Sequence, residues 1–193
     1  MLDRWALAAV RPVIDRLANV LVRCGVGADT LTLAGVGLGL AAALAIALGH
    51  PMAGLPLLLA SRLLDGLDGA VARATRPTDR GAFLDITLDF VFYASIPLAF
   101  AVANPAAHAL PAAVLLAAFM GTGASFLAFA VMAERRGLSS AAYPSKGLFY
   151  LGGLTEGTET LLCFVLMCLW PTLFPVLACL LYTSPSPRDE NGY

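Results

Sequence analysis

Successive apolar runs of about 20 residues constrain this chain more than any other feature, because a run of that length spans a bilayer as a helix. Six are present. They cover residues 30–48, 56–74, 82–102, 110–132, 158–169 and a stretch beginning near 172. The fifth reaches spanning length only if it starts near residue 152. Charged residues make up only 13% of the 193, against about 25% in soluble domains. So few charges cannot cover a globular surface, and the chain needs lipid around it. The expected fold is one all-α integral membrane domain of six transmembrane helices, residues 1–178.

Two end segments read differently. In residues 1–24, Arg4, Arg11, Asp15 and Arg16 alternate with Trp5, Leu7, Val10, Ile14, Leu17 and Leu21 at helical spacing. That pattern predicts an N-terminal amphipathic helix lying in the membrane interface. Residues 179–193 turn polar and contain two prolines, Pro185 and Pro187. They read as a non-native or disordered tail that truncates the sixth helix. Lys and Arg fall before the first run and in alternate loops, at Arg76, Arg80, Arg135, Arg136 and Lys146. The other loops have none, which predicts a cytoplasmic N-terminus. A net charge of -1 offers no basic excess for nucleic acid. Cys24, Cys163, Cys168 and Cys179 form no CxxC pair and read as inert thiols. His50 and His108 fall at predicted helix ends and read as interfacial.

The apolar background makes four carboxylates conspicuous. An ionisable residue within a membrane helix is expensive and points to function. Asp65 and Asp68 are three apart, and Asp85 and Asp89 four apart, so each pair shares a helix face. A short turn containing Pro77 makes the two helices antiparallel neighbours whose aspartates can meet. Converging carboxylates repel, and divalent cations such as magnesium, manganese or calcium relieve this with hard oxygen ligands. Magnesium keeps open positions for phosphate, which points to phosphoryl chemistry. The competing reading is a set of carboxylates paired with Arg62, Arg73, Arg76 and Arg80. Gly69 and Gly81 lie on this polar surface, where a missing side chain admits a ligand. Arg73, one turn past Gly69, can grip phosphate oxygens.

These residues carry a resemblance. Asp65-Gly-Leu-Asp68-Gly69-Ala-Val-Ala72-Arg73, followed by Gly81-Ala-Phe-Leu-Asp85-Ile-Thr-Leu-Asp89, resembles the signature of the CDP-alcohol phosphotransferases at every specified position. The resemblance implies that Asp65, Asp68 and Asp85 ligate metal, with Asp89 also near it and acting as general base. Gly69 and Ala72 would leave room for cytidine, Arg73 would contact the diphosphate, and Gly81 would pack beside the nucleotide. It implies two Mg2+ ions (Mn2+ as an alternative), a CDP-linked donor such as CDP-diacylglycerol, an alcohol acceptor, CMP release and a homodimer. The expected setting is a bacterial inner membrane with the site facing the cytoplasm.

The acceptor is less legible. Arg135, Lys146, Glu156 and Glu159 flank the fifth run and form a possible acceptor pocket. Glu156 and Glu159 read equally well as acidic residues at a helix N-terminus. Asp29 reads as an N-cap for the first run. Arg62 reads as the pairing partner of Asp65, with a phosphate contact as the alternative. A CDP-lipid hydrolase and a divalent-cation transporter stand as the other functional readings.

Overall fold

The computed structural model describes the backbone of residues 2–135 and 155–183, with side chains over 12–132, at Arg135 and over 158–183. Every regular element among the described residues is helical. In chain order these are α1 Leu2–Arg23, α2 Ala28–Ala47, α3 Pro51–Ala74, α4 Asp79–Ala103, α5 Pro105–Arg135, α6 Thr155–Leu169 and α7 Phe174–Thr183. A 3-10 turn, Pro171–Leu173, leads into α7.

The helix ends follow from local chemistry. α1 and α2 each close on a glycine in the left-handed region, Gly25 at φ 77° and Gly49 at φ 83°. In each case the next two amides bond back to the last turn, Gly25 to Val22 and Val26 to Leu21, then Gly49 to Ile46 and His50 to Ala45. This 6→1, 5→2 pairing satisfies carbonyls the helix leaves orphaned, and only glycine adopts the required φ cheaply. α3 and α5 begin on Pro51 and Pro105, which lack the N–H that a first helical residue would leave unpaired. α4 is capped by Thr78, whose hydroxyl accepts the Gly81 N–H at 3.0 Å. These prolines explain why α3 and α5 start about a turn earlier than apolar length alone predicts. Asp29 is not an N-cap: Gly27 holds that position, and Asp29 is in the first turn, where its charge still meets the positive helix end.

α2 is the central support. It packs against both α3 and α4, whereas α3 and α4 barely approach through their backbones. The α2–α3 approach depends on missing side chains. A Cβ on Gly35 would lie 3.4 Å from the Ser61 carbonyl oxygen, and one on Gly54 would lie 2.9 Å from the Ala42 carbonyl oxygen. The main core joins Ile46, Leu58, Phe92, Ile96, Leu115 and Phe164. A second cluster seats α1 on α3, with Ala18 against Leu67, Ala70 and Val71. Val13, Leu17 and Val20 on the other side of α1 stay exposed, consistent with the amphipathic reading.

By length and apolarity, α2, α4 and α5 can each cross a membrane. α3 is as long, at 24 residues, but carries Arg62, Asp65, Asp68 and Arg73. α6 has 15 residues and α7 has 10, shorter than the about 20 a span requires. α7 continues to Thr183, past the expected break at residue 179, because Cys179–Tyr182 is still apolar and Pro185 is the first residue unfit for the helix. The rest of the tail, and residue 152 where the fifth run would have to start, lie outside the described residues.

The glycine contacts give a paired test of this packing. Gly54→Ala should destabilise by about 1–3 kcal/mol, since its methyl meets a backbone oxygen that cannot swing away. Gly37→Ala, with nothing within 4 Å of the new Cβ, should be neutral or stabilising by up to about 1 kcal/mol. Thermal unfolding in detergent checks both. Equal melting temperatures for the two variants would contradict a close α2–α3 contact.

Candidate functional site

The aspartates of α3 and α4 face one another, and α2 packs against both helices. The helices run in opposite directions, since Arg62 reaches Asp89 while Asp65 and Asp68 lie beside Asp85. One carboxylate oxygen from each of Asp65, Asp68 and Asp85 lies within 4.8 Å of the others. Asp68 is buried, and Asp65 and Asp85 are half-buried. The geometry therefore brings together three of the four predicted ligands.

Magnitudes decide what this triad requires. Two like charges about 4 Å apart at an effective dielectric of 20 repel by about 4 kcal/mol. The Thr32 hydroxyl, 2.6 Å from Asp68 Oδ2, is a close neutral donor. It also lies 3.1 Å from the Ala28 carbonyl, and its single proton serves one acceptor at a time. A hydrogen bond to a charged group contributes about 1.5–3 kcal/mol, so this one offsets only part of the repulsion among three carboxylates. The nearest guanidinium, Arg62, is 3.6 Å from Asp65 Oδ2 and 2.7 Å from Asp89 Oδ1. The donor set is all oxygen and anionic, converging from two helices, so it fits a hard divalent cation.

Asp89 lies beside the triad, its Oδ1 and Asp65 Oδ2 being 2.7 and 3.6 Å from the same Arg62 Nη1. Its Oδ1 accepts from Arg62 Nη1, and its carboxylate is 37% exposed, open toward an incoming group. The expected Arg62–Asp65 pairing is thus the weaker of two contacts. Sequence spacing favoured it because Asp65 is one turn away on the same helix, whereas Asp89 is reached only through the fold.

The predicted nucleotide residues lie on the last turns of α3 and at the start of α4. Arg73 is exposed and folds back over Gly69, where a Cβ would lie 3.3 Å from Nη1. Ala72 is half-buried on the intervening turn. Gly81 begins α4 in a tight corner, where a Cβ would lie 3.2 Å from Thr78 Oγ1 and 3.5 Å from Asp29 Oδ1. Asp29 also pairs with Arg80 at 3.4 Å, which ties the start of α2 to that of α4. The proposed acceptor residues are only partly in view. Arg135 is exposed at the end of α5, and Glu159 is exposed in the first turns of α6. Lys146 and the side chain of Glu156 lie outside the described residues.

Comparison with known proteins gives a consistent picture. Residues 26–183 match the CDP-alcohol phosphatidyltransferase family. Inner membrane protein YnjF of Escherichia coli (strain K12) is 46% identical in an alignment covering 100% of this chain and 96% of that protein. An archaetidylinositol phosphate synthase from Methanothermobacter thermautotrophicus is 47% identical over 81 residues, 41% of this chain and 42% of that protein. Another from Pyrococcus horikoshii is 32% identical over 95 residues, 47% of this chain and 50% of that protein.

Manganese binding followed by electron paramagnetic resonance tests the triad without any substrate. Asp85→Asn and Asp68→Asn should each weaken affinity about tenfold or more, while Asp89→Asn should stay within about threefold of the parent. A loss in the Asp89 variant equal to that in the Asp85 variant would place all four carboxylates in one ligand set.

Proposed function

The chain belongs to the CDP-alcohol phosphatidyltransferase family, and from that premise we propose that it moves a phosphatidyl group from CDP-diacylglycerol to an alcohol hydroxyl, releasing CMP. Membership makes it a membrane transferase of phospholipid biosynthesis. The convergence of Asp65, Asp68 and Asp85 within 4.8 Å carries the finer reading, because it assembles a diphosphate-grade cation site in an apolar setting.

Each chain residue then has a task. Asp65, Asp68 and Asp85 would hold magnesium or manganese, with Asp89 beside them and two ions in all. The bound ions would supply charge neutralisation on the donor diphosphate. Gly69 and Ala72 leave space for the cytidine, and Gly81 lets the first turn of α4 come close to it. Arg73 presents its guanidinium to the diphosphate oxygens. The acceptor hydroxyl attacks the phosphorus that carries the lipid. Its oxygen–phosphorus bond forms as the bond from that phosphorus to the bridging oxygen breaks. CMP departs with the bridging oxygen, and the hydroxyl proton passes to Asp89. Exposure of the Asp89 carboxylate supports this assignment.

The setting follows. α3, α6 and α7 join α2, α4 and α5 as the six helices of the membrane domain, with α6 lengthened at its N-terminal side and α7 a truncated sixth, and residues 1–178 form the functional domain. The Lys and Arg distribution supports a cytoplasmic N-terminus and a cytoplasmic site in a bacterial inner membrane. A homodimer is proposed. Arg135, Lys146, Glu156 and Glu159 are proposed to face the acceptor. The archaeal relatives are named for a product containing inositol phosphate, so a phosphorylated polyol belongs among the first acceptors to try.

The deciding assay follows CMP release from CDP-diacylglycerol by purified protein with magnesium and a panel of alcohols, inositol phosphate among them. Expected is CMP together with a new lipid for one acceptor. CMP without a new lipid would replace transfer by hydrolysis, and no CMP with any acceptor would reject the proposal. Asp89→Asn should lower turnover by about 10²–10⁴-fold, the usual contribution of a general base.

A further inference from the structure

Arg62 is a buried charged side chain that the transferase mechanism leaves without a task. Only 10% of its side chain is exposed. Nη1 donates to Asp89 Oδ1 at 2.7 Å and lies 3.6 Å from Asp65 Oδ2. Nη2 is 3.4 Å from the buried Ser61 Oγ. The guanidinium carbon lies 3.6 Å from the centre of the Phe92 ring and 5.6 Å from that of Tyr93. Nε is buried without a hydrogen-bond partner, a cost accepted because the outer end of the side chain is drawn to Asp89 and the ring.

Phe92 is itself fixed from behind. A Cβ on Gly39 would lie 2.6 Å from Phe92 Cδ2 and 3.0 Å from Ser61 Oγ. The ring therefore presses against the bare backbone of α2 and cannot retreat. A chain of contacts runs from α2 through Phe92 and Arg62 to Asp89.

We propose that Arg62 is the positioning residue for Asp89, holding that carboxylate beside the triad, with Phe92 seated on Gly39 as the floor that aims the guanidinium. The inference rests on the transferase reading and gives it a direction. One Asp89 oxygen is held by Arg62, which leaves the other free to face the acceptor. A guanidinium engaged on one edge and stacked on one face is not a free fork for phosphate. This disfavours the alternative in which Arg62 grips the donor. A fixed direction matters, because a base must lie within hydrogen-bond reach of the hydroxyl it deprotonates.

The test uses the full chain in detergent with R62Q, R62K, F92L, D89N and the R62Q/D89N pair. Three quantities are read: kcat with KM for CDP-diacylglycerol, Mn2+ affinity, and melting temperature without metal. R62Q should lower kcat about 10–100-fold, the usual cost of losing a residue that orients another, with KM and Mn2+ affinity within about threefold. R62K, a point charge without the planar fork, should recover part of that loss. F92L keeps both charges and should lower kcat by less, again without moving KM, so the proposal stays exposed if R62Q does not fold. The double variant should melt no lower than the weaker single one, because each single change removes the same pair. A donor KM or Mn2+ affinity that worsens as much as kcat overturns the proposal, as do additive losses in melting temperature. If the parent protein releases no CMP, the transferase reading fails, while the melting cycle still decides whether Arg62 and Asp89 act as a pair.

Discussion

Repulsion among carboxylates is the constraint around which this protein is built. Asp65, Asp68 and Asp85 are brought within 4.8 Å by two helices that scarcely touch each other. Something else must hold those helices at the right separation, and α2 does so. Its glycines let α3 approach to backbone contact, while Gly39 receives the Phe92 ring from α4. The carboxylates of α3 and α4 therefore meet between helices whose separation α2 sets. If α3 and α4 packed directly, the aspartates would have to point away or be protonated.

The four aspartates are equivalent in the signature but not in the fold. Asp68 is buried and accepts from Thr32, Asp65 and Asp85 complete the triad, and Asp89 is held by Arg62. A buried guanidinium and a cation would compete for the same carboxylates. Asp85 and Asp89 are one turn apart on α4, and only Asp89 meets Arg62 at hydrogen-bond distance. This division gives a physical basis for assigning different roles to residues that look alike in sequence.

Much of this was legible before any coordinates. The spacing of the aspartates set their register, and lipid-length apolar runs set the all-helical class. Both signals are local and periodic, so they survive in one dimension. The misses have a common cause. Asp29 looked like a cap because caps are local, but Gly27 takes the position and Asp29 turns to Arg80 across the site. Arg62 looked like the partner of Asp65 because helical neighbours are the nearest guess, yet its shorter contact is 27 residues away. Thr32 meets Asp68 from 36 residues away, a contact that spacing along the chain does not reveal. Helix starts at Pro51 and Pro105 were placed late because proline usually reads as a breaker, although at a first helical position it is favourable.

The last question is how a helix as charged as α3 can lie in lipid at all. An isolated span carrying Arg62, Asp65, Asp68 and Arg73 would be costly. Here the charges are covered from several sides. α2 takes one face of α3, α6 touches another, and α1 lies along the segment after Asp65, with Ile14 reaching toward Gly66 and Ala18 buried against Leu67, Ala70 and Val71. The amphipathic helix is thus more than an anchor in the interface. Its inner face walls off the helix that bears Asp65 and Asp68, and its outer stripe of Val13, Leu17 and Val20 offers an apolar surface instead. The N-terminal helix and the aspartate pair on α3 therefore depend on one another: without α1 the polar turn of α3 would face acyl chains, and without that turn α1 would have no face to cover.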